Sequence, residues 1–379
     1  MSEKHKLQEK IFHCGETYFQ SLLEDINKAK KSIDIEVYIF SKDNLGKKIL
    51  KELIAATKRK KIRIRLLVDG AGTPFWGGKL IRKLEKYGIK TKVFNPLPWE
   101  IWQWRRSSSK MPFLLHIFYM ILKINSRNHR KSIIIDDKIA YVGSLNIDQR
   151  HLSKKNGGQN WRDTAVRLKG CDLKNISVAF NKAWDHNIWQ TKIDKLVNNI
   201  NNKIRLNNTA KTRIMLYRNL LKTLGKAKNR VWITNAYFIP NNLFLKKIKK
   251  LARAGVDVRI IVPKKSDIPS MQWAASSLYE KLLNSGVKIY EYSPSMLHAK
   301  TIIIDDWVVL GSSNLNHRSL LHDLEIDIKI ESEQAKEDVI SQFKQDQANS
   351  ETTELSSIPK RKVHKKIIGN IIVFLKYWV

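Results

Sequence analysis

The chain has only two cysteines in 379 residues, Cys14 and Cys171, far apart and in no metal-ligand spacing. That excludes a disulfide framework and fits a reducing compartment. Acidic residues are scarce: 35 Asp and Glu face 70 Lys and Arg, for a net charge of +35. So large an excess calls for an anionic partner, nucleic acid or an anionic membrane surface. Part of its size reflects Lys- and Asn-rich usage. No apolar core follows Met1-Ser2-Glu3-Lys4, so no secretory signal is expected. No run reaches the roughly 18–20 apolar residues of a spanning helix. What is present is a hydrophobic content of 42%, which can supply a core, and length for two domains or one duplicated unit.

Two shorter apolar stretches stand out. Met111–Ile124 follows Arg105, Arg106 and Lys110, and Ile367–Val379 follows Lys360-Arg361-Lys362 and Lys365-Lys366. Each is too short to cross a bilayer and long enough to lie in its interface. The plain alternatives are a buried helix for the first and a docked tail for the second. Basic flanks with Trp and Tyr favour membrane contact through 99–124 and 360–379.

The strongest pattern occurs twice. His129-Arg-Lys131 leads to Asp136 and then Gly143-Ser144-Leu-Asn146. His298-Ala-Lys300 leads to Asp305 and then Gly311-Ser312-Ser-Asn314. At about a twentyfold reduction per fixed position, two such copies are no coincidence. Gly88-Ile-Lys90 recurs as Gly286-Val-Lys288, an offset of 198, whereas His129 and His298 differ by 169. The first half therefore carries 29 extra residues before its His motif. These hold Trp99, Trp102, Trp104 and the first apolar stretch, well placed for a substrate-facing element.

Strand-like runs alternate with amphipathic helices in both halves. The expectation is an α/β fold of two subdomains, each a mixed, mostly parallel sheet flanked by helices, packed pseudo-symmetrically around one shared site. The boundaries expected are 1–188 for the first half with its insertion at 97–128, and 189–213 for a connector. The second half would span 214–344, followed by a polar linker and a basic-apolar tail over 345–379.

On a strand, side chains two apart share a face. His129 and Lys131 point together, as do Ser144 and Asn146, and the same holds for His298, Lys300, Ser312 and Asn314. Asp136 and Asp305 belong to the catalytic motifs, but their parity sets them off the site in a structural role. Two copies facing one another suit a phosphodiester. Lys, Ser and Asn would bind phosphate oxygens, one imidazole would attack phosphorus, and the other would protonate the leaving oxygen. Lysine is a poor metal ligand, so neither metal nor cofactor is expected. A nucleophilic His needs an acceptor at its second nitrogen. Asp163, downstream of His129, and Glu325, downstream of His298, are the candidates. His116, His151, His186, His317 and His322 have no repeat partner and read as ordinary polar or buried residues. Glu36 with Tyr38, and Asn235 with Tyr237, are candidates for the cavity floor.

The paired H-x-K-x4-D…G-S-x-N pattern resembles the phospholipase D superfamily. Asn128-His-Arg-Lys131, Trp161-Arg-Asp-Thr164, Asn235-Ala-Tyr-Phe238 and Leu297-His-Ala-Lys300 resemble the bacterial cardiolipin synthases of that type, in a shorter class without N-terminal transmembrane helices. Many of those read Gly-Gly-Leu-Asn where this chain has Gly143-Ser144-Leu145-Asn146. The resemblance implies a ping-pong phosphatidyl transfer between two phosphatidylglycerol molecules, giving cardiolipin and glycerol through a phosphatidyl-histidine. It implies His129 as nucleophile, His298 as acid/base, and a peripheral place at the cytoplasmic face of the cell membrane. Phospholipid hydrolysis uses the same site, with water as acceptor. A nuclease is the other alternative, since the charge suits nucleic acid too, but the apolar segments point to lipid and no nucleic acid partner is expected.

Overall fold

A computed structural model of the chain describes residues 7–59, 62–76, 78–108, 126–185, 203–358 and 363–374. The expected interfacial stretch Met111–Ile124 lies outside them, as do His116 and His186. Two sheets dominate the described residues.

The first sheet contains β1 (Gln8–Phe12), β2 (Ser32–Val37), β3 (Arg63–Asp69), β4 (Lys90–Phe94), β5 (Ser132–Ile135), β6 (Ile139–Gly143) and β7 (Ala165–Lys169). Their order is β1-β7-β6-β5-β2-β3-β4. The second contains β8 (Ile204–Leu206), β9 (Arg230–Asn235), β10 (Asp257–Pro263), β11 (Lys288–Tyr292), β12 (Lys300–Ile304), β13 (Trp307–Gly311), β14 (Ile326–Ile330) and β15 (Ser350–Thr352). Its order is β15-β11-β10-β9-β12-β13-β14-β8.

The sheets are mixed, but among the described residues parallel strand ladders are confined to β2-β3-β4 and to β9-β10-β11. The remaining ladders are antiparallel, against the expectation of mostly parallel sheets. The reason is local. Each His motif runs straight into a hairpin, β5-β6 or β12-β13, which needs only a tight turn. Parallel strands need a crossover helix.

Alternation sorts the side chains between layers. Ile33, Ile35, Ile133 and Ile135 face an outer core under the helices Gly15–Lys28 and Asn44–Arg59. Ile134, Ala140 and Val142 face the opposite way, into a core shared with Ile303, Val308, Leu310, Ile326 and Ile328 of the other half. Phe180 and Phe343, from helices Lys174–Trp184 and Glu333–Ala348, complete that shared layer. The two halves thus meet through apolar sheet faces, and the site lies just ahead of β5 and β12, where His129 and His298 precede the strands.

Two expected boundaries change. The stretch 189–213 contains β8, an edge strand paired with β14, and the start of the helix Ala210–Leu224. The expected linker from 345 is ordered to 358: the helix Glu333–Ala348 runs on, and β15 pairs antiparallel to β11. Polar composition is a poor guide there because both elements are amphipathic or at an edge. Beyond it, the helix Val363–Phe374 packs on the helix Pro269–Ser276. The approach is close, because a Cβ on Gly369 would lie 2.4 Å from the Trp273 carbonyl oxygen. Ile367, Ile368, Ile371 and Phe374 remain exposed on this helix, Phe374 at 81%. Trp99 and Trp102, at the start of the insertion, are also exposed.

Candidate active site

The backbone just ahead of each His strand crosses to the other half. His129 N–H donates to the Leu324 carbonyl at 3.0 Å, and Leu324 N–H donates to the Arg127 carbonyl at 2.9 Å. The second half repeats the arrangement. Arg162 N–H donates to the Met296 carbonyl at 2.9 Å, and His298 N–H donates to the Arg162 carbonyl at 2.8 Å. These short parallel bridges set Glu325 beside His129 and Asp163 beside His298.

The imidazoles are held accordingly. His129 Nδ1 lies 3.0 Å from both Glu325 carboxylate oxygens. His298 Nδ1 lies 2.8 Å from Asp163 Oδ1. The pairing is the reverse of the sequence-based expectation, in which each carboxylate followed its own histidine. Strand parity says which residues share a face, but a crossing between halves leaves no periodic trace. With Nδ1 engaged by a carboxylate, Nε2 of each ring is left for chemistry.

The serines are also reassigned. Ser144 Oγ donates to Asp163 Oδ1 at 2.7 Å and Ser312 Oγ donates to Glu325 Oε2 at 2.5 Å, both fully buried. They hold the carboxylates that hold the histidines, so each hydroxyl hydrogen is given to a carboxylate rather than kept for a phosphate oxygen. Asp136 and Asp305 stand outside the site. Asp136 accepts from the backbone N–H groups of Lys30, Lys31 and Ser32. Asp305 accepts from those of Lys228, Asn229 and Arg230. Both turn the chain at positive φ, 55° and 49°, where Asp is one of the few tolerated residues. Their motif position therefore serves the hairpin and the neighbouring loop, and although they belong to the catalytic motifs they do not line the cavity of the histidines.

His129, His298, Asn146 and Asn314 line one cavity of about 280 Å³, together with Tyr38, Tyr237, Arg150, Arg318 and Trp161. Asn146 Oδ1 accepts from Ile39 N–H, while Asn314 Oδ1, buried, has no hydrogen-bond partner in the described structure. Lys131 Nζ donates to the His129 carbonyl at 2.7 Å and lies 5.3 Å from the Tyr38 ring centroid. Lys300 repeats this with the His298 carbonyl and Tyr237. Of the candidate floor residues, the two tyrosines face the cavity. Glu36 is buried beneath it, accepting from Asn128 and Ser132, and Asn235 accepts from Leu315 N–H.

The electrostatics distinguish the two halves. Burial, with the charges of Lys131, Lys300 and Arg318, holds His129 well below the usual histidine range, so its ring is neutral. Burial and Lys300 lower His298 too, against the pull of Asp163. Burial pushes Lys131 down to about 7 and Lys300 to about 8. Burial pushes Glu325 up to about 7. Burial also opposes ionisation of Asp163, but His151 and His298 outweigh it and hold that carboxyl well below its ordinary value.

His151, which has no repeat partner and reads from the sequence as an ordinary residue, is part of this network. Its Nδ1 lies 2.6 Å from Asp163 Oδ2, and Asn146 N–H donates to its Nε2 at 3.2 Å. The equivalent position in the second half is Ser319, so Asp163 has two imidazole partners where Glu325 has one. Among the described residues, no group of three or more His, Cys, Asp or Glu is arranged to hold a metal ion.

Residues 22–184 and 220–347 match the family profile described as cardiolipin synthase, PLD-like domain. A cardiolipin synthase of Clostridium perfringens (strain SM101 / Type A) is 34% identical over 96% of this chain and 75% of its own length. One from Staphylococcus aureus (strain Mu50 / ATCC 700699) is 30% identical over 93% of this chain and 70% of its own. The crystal structure of phosphatidylserine synthase from Haemophilus influenzae Rd KW20 shares the fold with a TM-score of 0.69 at 14% identity. It covers 98% of this chain and 95% of that one.

Proposed function

The chain belongs to the cardiolipin synthase family of phospholipase D-like phosphatidyltransferases, and from that premise we propose that it joins two phosphatidylglycerol molecules through a histidine-bound intermediate at the cavity between its halves. The observation that carries the reading is the pair of His–carboxylate contacts at one cavity, each with the carboxylate drawn from the opposite half.

In the proposed first step, His129 Nε2 attacks phosphorus as the bond from phosphorus to the glycerol headgroup oxygen breaks. His298, having taken a proton on Nε2 from solvent as the anionic substrate binds, gives it to that oxygen, and glycerol leaves. In the second step, the primary hydroxyl of another phosphatidylglycerol attacks the same phosphorus. His298 takes its proton, and the phosphorus–nitrogen bond breaks to free His129. Burial leaves both imidazoles neutral at rest, His298 lowered to about 3, which suits either as nucleophile; the firmly ionised Asp163 supports a role for His298 that passes through imidazolium. The arriving phosphodiester anion raises the proton affinity of His298 against the field of Lys300. Lys131, Lys300, Asn146 and Asn314 would stabilise the phosphoryl oxygens as charge gathers on them.

The enzyme acts on membrane lipids, and no described helix is long and apolar enough to cross a membrane. We place it at the cytoplasmic face, bound peripherally through Ile367, Ile368, Ile371 and Phe374 and through Trp99 and Trp102. Lys-rich surfaces would add attraction to anionic lipid. Purified protein on phosphatidylglycerol vesicles should yield cardiolipin and glycerol by chromatography. Phosphatidic acid without cardiolipin would make it a hydrolase, and no lipid product would sink the reading.

A further inference from the structure

Two arginines occupy equivalent places in the halves. Asn146 and Asn314 are 168 residues apart, and so are Arg150 and Arg318. Both arginines line the cavity that holds the histidines. Arg150 is fixed in place: Nε and Nη2 each lie 2.9 Å from a carboxylate oxygen of Asp148, and the guanidinium sits 4.6 Å over the Trp161 ring. A fork held along its Nε–Nη2 edge keeps Nη1 for another acceptor. Arg318 donates from Nε to Asp323 at 3.2 Å, with its side chain 37% exposed. Among the described residues, neither arginine is ion-paired with a further carboxylate. Asp323 neutralises Arg318 only in part, since burial pushes that carboxyl up to about 7.

The proposed reaction gives these cations a task that the His–Lys centre cannot perform. When the second lipid arrives, that centre already holds the phosphatidyl group. The second lipid brings its own phosphodiester, one glycerol away from the reacting hydroxyl. A buried or half-buried anion there needs a separate partner. Guanidinium is suited to it, because its planar fork matches phosphate oxygens in pairs.

We propose that Arg150 and Arg318 form a second phosphate site in the cleft, distinct from the His–Lys centre, that holds the phosphodiester of the accepting lipid. The inference rests on the phosphatidyltransferase reading above. It gives transfer an advantage over hydrolysis, since the site holds the lipid acceptor and has no purchase on water. One arginine beside each half of the cleft also lets a phosphodiester be guided in by whichever half the acceptor approaches.

The test uses the partition of one intermediate. On phosphatidylglycerol vesicles, the ratio of cardiolipin to phosphatidic acid reports the fate of the phosphatidyl-enzyme once it has formed. Damage to its formation cancels from that ratio. The ratio should fall about tenfold or more in the Arg150→Gln/Arg318→Gln double variant, the worth of one charge-assisted pair. Arg318→Gln alone should shift it less, and Arg318→Lys should recover part. Labelled free glycerol, an acceptor without phosphate, should keep its share relative to water. If thermal melting shows the double variant unfolded because the Asp148 clamp is lost, Arg318→Gln alone decides, with a fall of at least threefold required. Slower turnover at an unchanged ratio would overturn the proposal, because the arginines would then act on the donor. Wild-type protein that makes no cardiolipin would instead defeat the reading of function, and this inference with it.

Discussion

His129 and Glu325 stand 196 residues apart in the chain, yet Nδ1 of one lies 3.0 Å from both oxygens of the other. His298 and Asp163 mirror them across 135 residues at 2.8 Å. Each half therefore supplies one imidazole to the cavity, and the carboxylate for the opposite one.

The crossing predicts where damage is felt. Glu325→Gln and Asp163→Asn keep shape but remove the charge and exchange one acceptor oxygen for an amide donor, so the tautomer is no longer fixed and each should lower kcat by on the order of 10³–10⁴-fold. Under the proposed roles, Glu325→Gln should slow the first release of glycerol, although it lies in the other half from His129. A glycerol burst of normal rate in Glu325→Gln would disprove the coupling.

The serines should matter less. Ser144→Ala removes one of several groups on Asp163, which keeps His151 and His298. A loss of about tenfold is expected, near the worth of one hydrogen bond to a charge. Ser312→Ala should cost at least as much, since the place of His151 is taken there by Ser319. If both serines behaved as direct phosphate ligands, KM for lipid would rise while kcat held.

The alkaline side of the pH profile belongs to the lysines. Lys131 is charged below about 7 and Lys300 below about 8. Their loss of charge removes phosphate stabilisation, so kcat/KM should fall as pH rises through that window. His129 contributes no limb of its own, because it is held well below the usual histidine range. Lys131→Arg, at reduced rate, should move the limb upward, since arginine stays charged. A limb that did not move would assign it to another group.

Asp323 makes a stability prediction of fixed sign. Its folded-state carboxyl is pushed up to about 7 by burial, from an ordinary 3.8. A raised carboxylate favours the fold below its unfolded value, and that contribution is lost as pH rises through about 7. Wild type should therefore lose stability between pH 4 and 8 relative to Asp323→Asn, by on the order of a few kcal/mol. Parallel melting curves across that range would refute it.

Asp136→Ala should act on stability and spare chemistry. It loses the backbone N–H groups of Lys30, Lys31 and Ser32 as partners, and puts alanine at a φ of 55°. A cost of roughly 1–3 kcal/mol is expected in denaturant melts, with near-normal kcat for the folded fraction.

These contrasts show how much is legible in the residues alone. Strand parity places His129 with Lys131 and sets Asp136 apart, because side-chain alternation is a local property. The mixed α/β character emerges from alternating runs in the same way. Parity cannot see that Ser144 turns inward to Asp163, since facing the site and facing its support look alike from spacing. Nor can it see the exchange of Asp163 and Glu325, which depends on backbone bridges between distant segments. The offset of 168 that aligns Asn146 with Asn314 also aligns Arg150 with Arg318. That signal is present in the repeat spacing, four residues beyond the last motif position in each half.

The crossed backbone bridges bear on the order in which the protein is made. Synthesis runs from the N-terminus, so His129 emerges long before Glu325, which orients it. A nascent or truncated first half carries His129 without the carboxylate that engages its Nδ1. Both His–carboxylate pairs can form only after the second sheet has closed on the first. Unfinished copies therefore lack both carboxylate–imidazole contacts that the finished site is built on.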